Sequence, residues 1–195
     1  MTDFILTIVS ATLVNNFVLQ QPLAADPVLA ISGQASATRA RIHALGIATL
    51  CLMLASNLIS HGVYEYLLLP LDLGYLSLFV FLPAVMLLAS PSIRLLCRAF
   101  PRLPFQGLQM LLVGNAGVLG AMLLGIEPDQ GLVHSVALSL GGGLGFWLVL
   151  SLFDDLTRRL RPDAIPGAFR GLPIQLISAG LMGLAFLGFS AMVKP

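Results

Sequence analysis

Leu13-Val14-Asn15-Asn16-Phe17-Val18-Leu19-Gln20-Gln21-Pro22-Leu23-Ala24-Ala25-Asp26-Pro27, residues 13–27, is the stretch of sequence that decides the fold. It lies inside an apolar run, residues 4–31, that is long enough to cross a membrane, which takes about 20 residues. Four amides, an acid and two prolines interrupt the run. In hydrocarbon such residues cost free energy unless they face protein or a polar cavity. The stretch therefore predicts a membrane span that is a broken helix.

The composition supports a membrane protein over the whole chain. Of 195 residues, 57% are hydrophobic and 10% are charged, and the mean hydropathy is +0.94. A soluble domain has about 25% charged residues, so much of this surface is expected to face the lipid bilayer. The net charge of +1 and the lack of a basic tract argue against a nucleic-acid partner. The class predicted is an all-α integral membrane protein.

Apolar runs of the right length predict six transmembrane helices. The loops between them are too short to hold a soluble domain, so residues 1–195 are expected to form a single membrane domain. The predicted spans are residues 4–31, 43–60, 75–96, 105–126, 132–153 and 172–193.

The basic residues orient these spans. Nine of the ten fall in the first, third and fifth loops or at the span edge beside them, and the exception is Lys194. Because cytoplasmic loops carry the excess of Lys and Arg, this distribution predicts that both termini lie outside. The nine are Arg39, Arg41, Arg94, Arg98, Arg102, Arg158, Arg159, Arg161 and Arg170.

A weak internal repeat divides the chain into halves, about 1–100 and 101–195. Leu13-Val14-Asn15-Asn16 in the first span returns as Leu112-Val113-Gly114-Asn115 in the fourth. Three spans per half would insert the second half upside down, which is the inverted-repeat architecture of many transporters. Broken helices in spans 1 and 4 then mark the candidate site, with four candidate residues for the break or for an ion path: Asn15, Asn16, Asp26 and Asn115.

The remaining residues suggest structural roles. Gly141-x-x-x-Gly145 in span five is interpreted as a helix-packing surface. Cys51 and Cys97 have no metal-ligand spacing, and the three histidines fall at span ends, so no metal site is predicted. Phosphate-binding loops, hydrolase elbows and dinucleotide fingerprints are absent from the sequence. Any enzyme activity is expected to belong to an assembly, and no catalytic residue is assigned to this chain.

Three strings resemble the RnfA subunit family of Rnf- and Nqr-type ion-translocating oxidoreductases. They are the first-span string that begins Leu13-Val14-Asn15-Asn16, the fourth-span Asn115 followed by Val118-Leu119-Gly120, and the last-span string over residues 179–189. The resemblance extends to chain length and to the number of spans.

The resemblance implies an inner-membrane protein with both termini periplasmic. It implies a complex that moves electrons between ferredoxin and NAD and couples that transfer to ion translocation. Other Rnf-type subunits are the implied partners, above all an E-type membrane subunit. It also implies an iron–sulfur cluster that this chain and the E-type partner share through cysteines at their broken helices.

The sequence departs from the family at those cysteines. Asp26 occupies the position of the first cysteine and Ala116 that of the second. Iron–sulfur clusters are held by cysteine thiolates, so we expect no cluster of the usual kind in this chain. The loss of both cysteines also leaves open a second function, in which this chain is a non-redox transporter or a structural subunit on the same scaffold. Neighbouring genes for ferredoxin-like, flavin-binding and E-type subunits would favour the electron-transfer role.

Overall fold

The computed structural model describes residues 2–21, 24–32, 38–126, 131–160 and 165–193, and every regular element in these ranges is a helix. Pro22, Arg161 and Lys194, which entered the predictions above, lie outside the described residues. The α-helices are α1 (Thr2–Val9), α2 (Ala25–Ser32), α3 (Arg39–Val63), α4 (Ser77–Ala99), α5 (Gln109–Val113), α6 (Ala116–Leu124), α7 (Leu132–Arg159) and α8 (Leu172–Val193). Two π-helical turns, Ser10–Val14 and Tyr64–Leu68, extend α1 and α3.

The described helices confirm an all-helical fold and fit a multi-pass membrane protein. Four continuous helices within the described ranges are long and apolar enough to cross a bilayer: Arg39–Leu68, Gly74–Ala99, Leu132–Arg159 and Leu172–Phe189. Two shorter apolar helices, Asp3–Val14 and Gln109–Leu124, lie where the first and fourth spans are predicted. Six crossings and the inverted repeat stay predictions.

Some of the predicted boundaries are wrong. The fifth span was expected to end at 153, but its helix α7 continues to Arg159. The second span was expected over 43–60, but its helix runs from Arg39 through the π-helical turn to Leu68, since the polar groups near His61 do not break it. The fourth was expected to begin at 105. It begins at Gln109 because Gly107 before it has a φ of +76°, outside the helical region.

An antiparallel pair, α3 and α7, forms the centre of the molecule. Arg39 at the start of α3 pairs with Asp155 near the end of α7 at 3.1 Å. Asn57, near the other end of α3, bonds Ser135 near the start of α7. The core between them is closed by large apolar side chains such as Phe146.

The glycines of α7 allow α1 to approach closely. A Cβ atom at Gly141 would lie 2.7 Å from the Ile8 carbonyl oxygen, and one at Gly145 would lie 3.0 Å from the Thr12 carbonyl oxygen. The Thr12 hydroxyl donates to the Gly141 carbonyl at 3.1 Å. The interpretation of Gly141-x-x-x-Gly145 as a packing surface is confirmed.

The basic loops meet at one end of the bundle. The Arg39–Asp155 pair joins the start of α3 to the end of α7. Arg41 places a guanidinium nitrogen 3.6 Å from the Cβ position of Gly107, in the loop after α4. The start of α3, the loop after α4 and the end of α7 therefore share a face, as the positive-inside pattern requires.

Candidate functional site at two broken helices

The first break separates α1 from α2. The π-helical turn ends at Val14, and the chain re-enters a helix at Ala25. Asn16 is fully buried in this break: its amide nitrogen donates to the Thr12 carbonyl at 2.8 Å, and its Oδ1 accepts from the Val18 N–H at 2.9 Å. Hydrocarbon offers backbone amides no water, so this side chain replaces the partners that a continuous helix would supply.

The second break separates α5 from α6 at Gly114 and Asn115. Asn115 is buried, and its Oδ1 accepts from the Gly117 N–H at 3.0 Å, which caps the first turn of α6. Asn115 Nδ2 is also buried but has no hydrogen-bond partner in the described part of the chain.

In both breaks an asparagine side chain caps a backbone N–H group. Helix ends at Val14 in one and at Val113 in the other, and the aligned asparagines Asn16 and Asn115 each cap the N–H two residues onward. The short sequence match thus corresponds to a shared side-chain cap, although the first break is longer than the second.

The breaks lie against each other. A Cβ atom at Gly117, in the first turn of α6, would lie 2.8 Å from the Cβ of Ala24, the residue before α2. Ala24 is fully buried. Only a glycine leaves room for this approach, so the structure brings together the two segments that the sequence singled out.

Three of the residues singled out by sequence are exposed on the surface of this chain. The Asn15 side chain makes one long hydrogen bond among the described residues, 3.5 Å from its Nδ2 to the Ser10 hydroxyl. Asp26 lies in the first turn of α2, where the positive end of the helix dipole stabilises a carboxylate. It has no ion pair with any of the described residues. Ala116 is exposed at the first position of α6.

Each break lines a pocket. At the first, a pocket of about 360 Å³ lies between the break, α2, α7 and α8, and Gln20 Nε2 is buried beside it with no partner among the described residues. At the second, a groove of about 230 Å³ separates Asn115 and Ala116 from Leu82 and Met86 of α4.

The cysteines and histidines lie away from the breaks. Cys51 is half-buried on α3, and Cys97 is exposed near the end of α4, in the arginine-rich face. His43 accepts a hydrogen bond from the Trp147 indole at 3.0 Å, and His61 faces Glu65 at 3.5 Å. Within the described ranges, no three His, Cys, Asp or Glu side chains group so that they could hold a metal ion.

Sequence reasoning missed a buried polar cluster around Asn57. Its amide nitrogen donates to the Ala121 carbonyl at 3.1 Å and to the Ser139 hydroxyl, and its Oδ1 accepts from the Ser135 hydroxyl at 2.7 Å. These bonds join α3, α6 and α7. The sequence does contain a signal: Asn57 lies within the apolar second span, and Ser135 and Ser139 lie four residues apart in the fifth. The sequence alone does not reveal that the asparagine and the serines face each other.

These features define a class: a multi-pass helical membrane protein whose two interrupted helices meet inside the bundle. Comparison with known proteins gives the family. Residues 4–193 match the Rnf-Nqr family, described as "Rnf-Nqr subunit, membrane protein", and the chain belongs to that family.

Three relatives match the chain over its full length. It is 36% identical to a protein of Pseudoalteromonas atlantica and 37% identical to one of Pectobacterium carotovorum, each over 196 residues and the full length of both chains. A protein of Aeromonas salmonicida is 33% identical over the same span. Each of the three is named as the A-type member of an ion-translocating oxidoreductase complex.

Replacing Asn16 with alanine should destabilise the protein by about 1–3 kcal/mol, because the Val18 and Leu19 N–H groups lose a buried acceptor. Thermal unfolding in detergent, followed by circular dichroism, measures the effect. Asn15→Ala is the matched control, since that side chain is exposed. Equal losses in the two variants would contradict the capping role.

Proposed function

We propose that this chain is the A-type membrane subunit of an Rnf-type complex that couples electron transfer between ferredoxin and NAD to ion translocation across the inner membrane. The observation that carries the proposal is the full-length similarity to proteins named as the A-type member of an ion-translocating oxidoreductase complex. The family match over residues 4–193 and the apolar helices support it.

The second break supports a partner subunit. Gly114 and Ala116 are exposed where the fourth span is interrupted. Irregular backbone at membrane depth is tolerated only where protein or a water-filled cavity covers it. We therefore infer that another membrane subunit, of the E type, lies against the groove between this break and Leu82 and Met86 of α4.

Purifying the complex through a tag on this chain tests the assignment. Flavin-binding, ferredoxin-like and E-type subunits should co-purify and be identified by mass spectrometry. Purification of the chain alone from native membranes, with no such subunits, would instead favour the non-redox role on the same scaffold.

Asp26 is proposed as a residue of the ion path, because an acid within a membrane segment is a functional candidate by default. In membranes that contain the whole complex, Asp26→Asn should weaken the coupling between ferredoxin-linked electron transfer and the ion gradient. Unchanged coupling would remove Asp26 from the mechanism.

The proposed topology is a single membrane domain of six spans, with inverted halves and both termini in the periplasm. The matching caps at Asn16 and Asn115 support the repeat. The clustering of the arginine loops on one face supports the orientation, because this face would be cytoplasmic.

Cysteine accessibility tests the orientation. In a Cys51→Ala background, Cys97 should react with a membrane-impermeant maleimide in inverted vesicles and not in spheroplasts. Tyr66 is 82% exposed at the opposite end, so Tyr66→Cys in a chain without other cysteines should show the reverse labelling. The same sidedness at both positions would refute the oriented model.

We further propose that this chain holds no iron–sulfur cluster of the usual kind. The resemblance places the cluster ligands at Asp26 and Ala116, where one side chain is a carboxylate and the other a methyl group. Thiolates are the ordinary ligands, and alanine has no donor atom. Cys51 and Cys97 lie on α3 and α4, not on either broken helix, so they are not placed to substitute.

Metal analysis of this chain co-expressed with its E-type partner tests whether the iron–sulfur cluster is absent. Iron and acid-labile sulfide should be absent from the wild-type heterodimer. The double variant Asp26→Cys and Ala116→Cys is the matched comparison, and it should gain both. One cluster per wild-type heterodimer would overturn the proposal.

A further inference from the structure

The end of α4 carries positive charge without a counter-charge. Arg94 and Arg98 lie one turn apart near the end of the helix, Arg102 follows in the next loop, and all three are exposed. None has an ion pair with a described residue, and the sequence contains no acid between Asp72 and Glu127. Like charges four residues apart on a helix repel each other. An anion from outside the chain would relieve this repulsion.

The two arginines of α4 lie at the end of an apolar stripe. Steps of four, four, three and four residues, which keep to one face of a helix, connect exposed residues along its length. The stripe consists of Pro83, Leu87, Pro91, Arg94 and Arg98. Leu87 is 76% exposed, whereas Val85 and Ala89 are buried on the opposite side of the helix. One face of α4 is therefore apolar over two turns and basic at its end.

This face is separate from the groove that we assign to a partner subunit. That groove is lined by Leu82 and Met86. Successive residues of an α-helix are rotated by about 100°, so Met86 is directed well away from Leu87. The stripe therefore stays free when a partner occupies the groove.

The order of apolar and basic groups indicates the chemistry of the anion. Inorganic phosphate or a soluble acidic protein would meet the arginines and leave the apolar stripe unused. An anionic phospholipid carries a phosphate and acyl chains in the same order in which α4 carries its arginines and its apolar side chains. The helix Gly74–Ala99 is long and apolar enough to cross a bilayer, so lipid has access to the stripe.

We propose that this face of α4 binds an anionic phospholipid, with the phosphate between Arg94 and Arg98 and an acyl chain along Leu87. Guanidinium groups bind phosphate oxygens through charge-assisted hydrogen bonds, and basic groups at the cytoplasmic side of membrane helices attract anionic headgroups. Arg102 adds a third charge, and with Cys97 it lines a pocket of about 500 Å³ beside the end of the helix. Such binding depends on the charge and surface of α4 and is independent of the assignment to an electron-transfer complex.

Native mass spectrometry of the delipidated full-length chain in detergent tests the lipid site. Dioleoyl phosphatidylglycerol should bind saturably, and dioleoyl phosphatidylcholine, which has the same acyl chains and no net charge, should bind about tenfold more weakly. The double variant Arg94→Gln and Arg98→Gln should weaken the binding of phosphatidylglycerol about tenfold and remove the preference between the two lipids. Both side chains are exposed, so the variant keeps the packed core.

A matched control separates this site from a general effect of charge. Arg159→Gln combined with Arg170→Gln removes two exposed arginines outside the stripe and should leave the affinity for phosphatidylglycerol unchanged. An equal loss in this control, or equal affinity of the wild type for the two lipids, would overturn the proposal. Displacement of the lipid by inorganic phosphate at the same concentration would also overturn it, because the apolar stripe would then contribute nothing.

Discussion

The need to satisfy backbone amides where no water is available governs this structure. A helix interrupted inside hydrocarbon leaves N–H groups without partners, and each costs several kcal/mol unless another group replaces the lost bond. Asn16 and Asn115 supply that group to the Val18 and Gly117 amides of their own breaks. The other features of the candidate site follow, because the capped ends can then be packed against each other through Ala24 and Gly117.

Packing around the breaks differs between the halves of the fourth span. The polar cluster at Asn57 fixes α6 to α3 and α7 through hydrogen bonds that are buried on all sides. The five-residue α5 has no comparable cluster and lies beside the exposed Gly114. The two halves of the fourth span are thus held by different contacts, and the break between them lines the groove beside α4.

Much of the fold was predictable, and the reasons are specific. Prolines and amides identified the break in the first span, because such residues seldom occur in a regular helix that crosses hydrocarbon. The repeated Leu-Val before an asparagine then identified the break in the fourth span. The helix boundaries were harder to predict. Residues near His61 are polar enough to end a helix, but a π-helical turn continues α3 to Leu68. The surface positions of Asp26 and Ala116, and the pairing of Asn57 with Ser135, depend on how helices rotate against one another. The chain's own periodicity does not determine that rotation.

The π-helical turn Ser10–Val14 fixes the direction in which the first break faces. Its Asn15 N–H bonds the Ser10 carbonyl five residues back, at 2.7 Å, so the turn holds one residue more than an α-helical turn. One residue of an α-helix corresponds to a rotation of about 100°. Removing a single residue from this turn would swing Asn16 from the α7 interface toward lipid and leave the Val18 amide uncapped. The number of residues in this segment is therefore constrained as well as their identity, because the close contact of Ala11 and Thr12 with Gly141 depends on the same register.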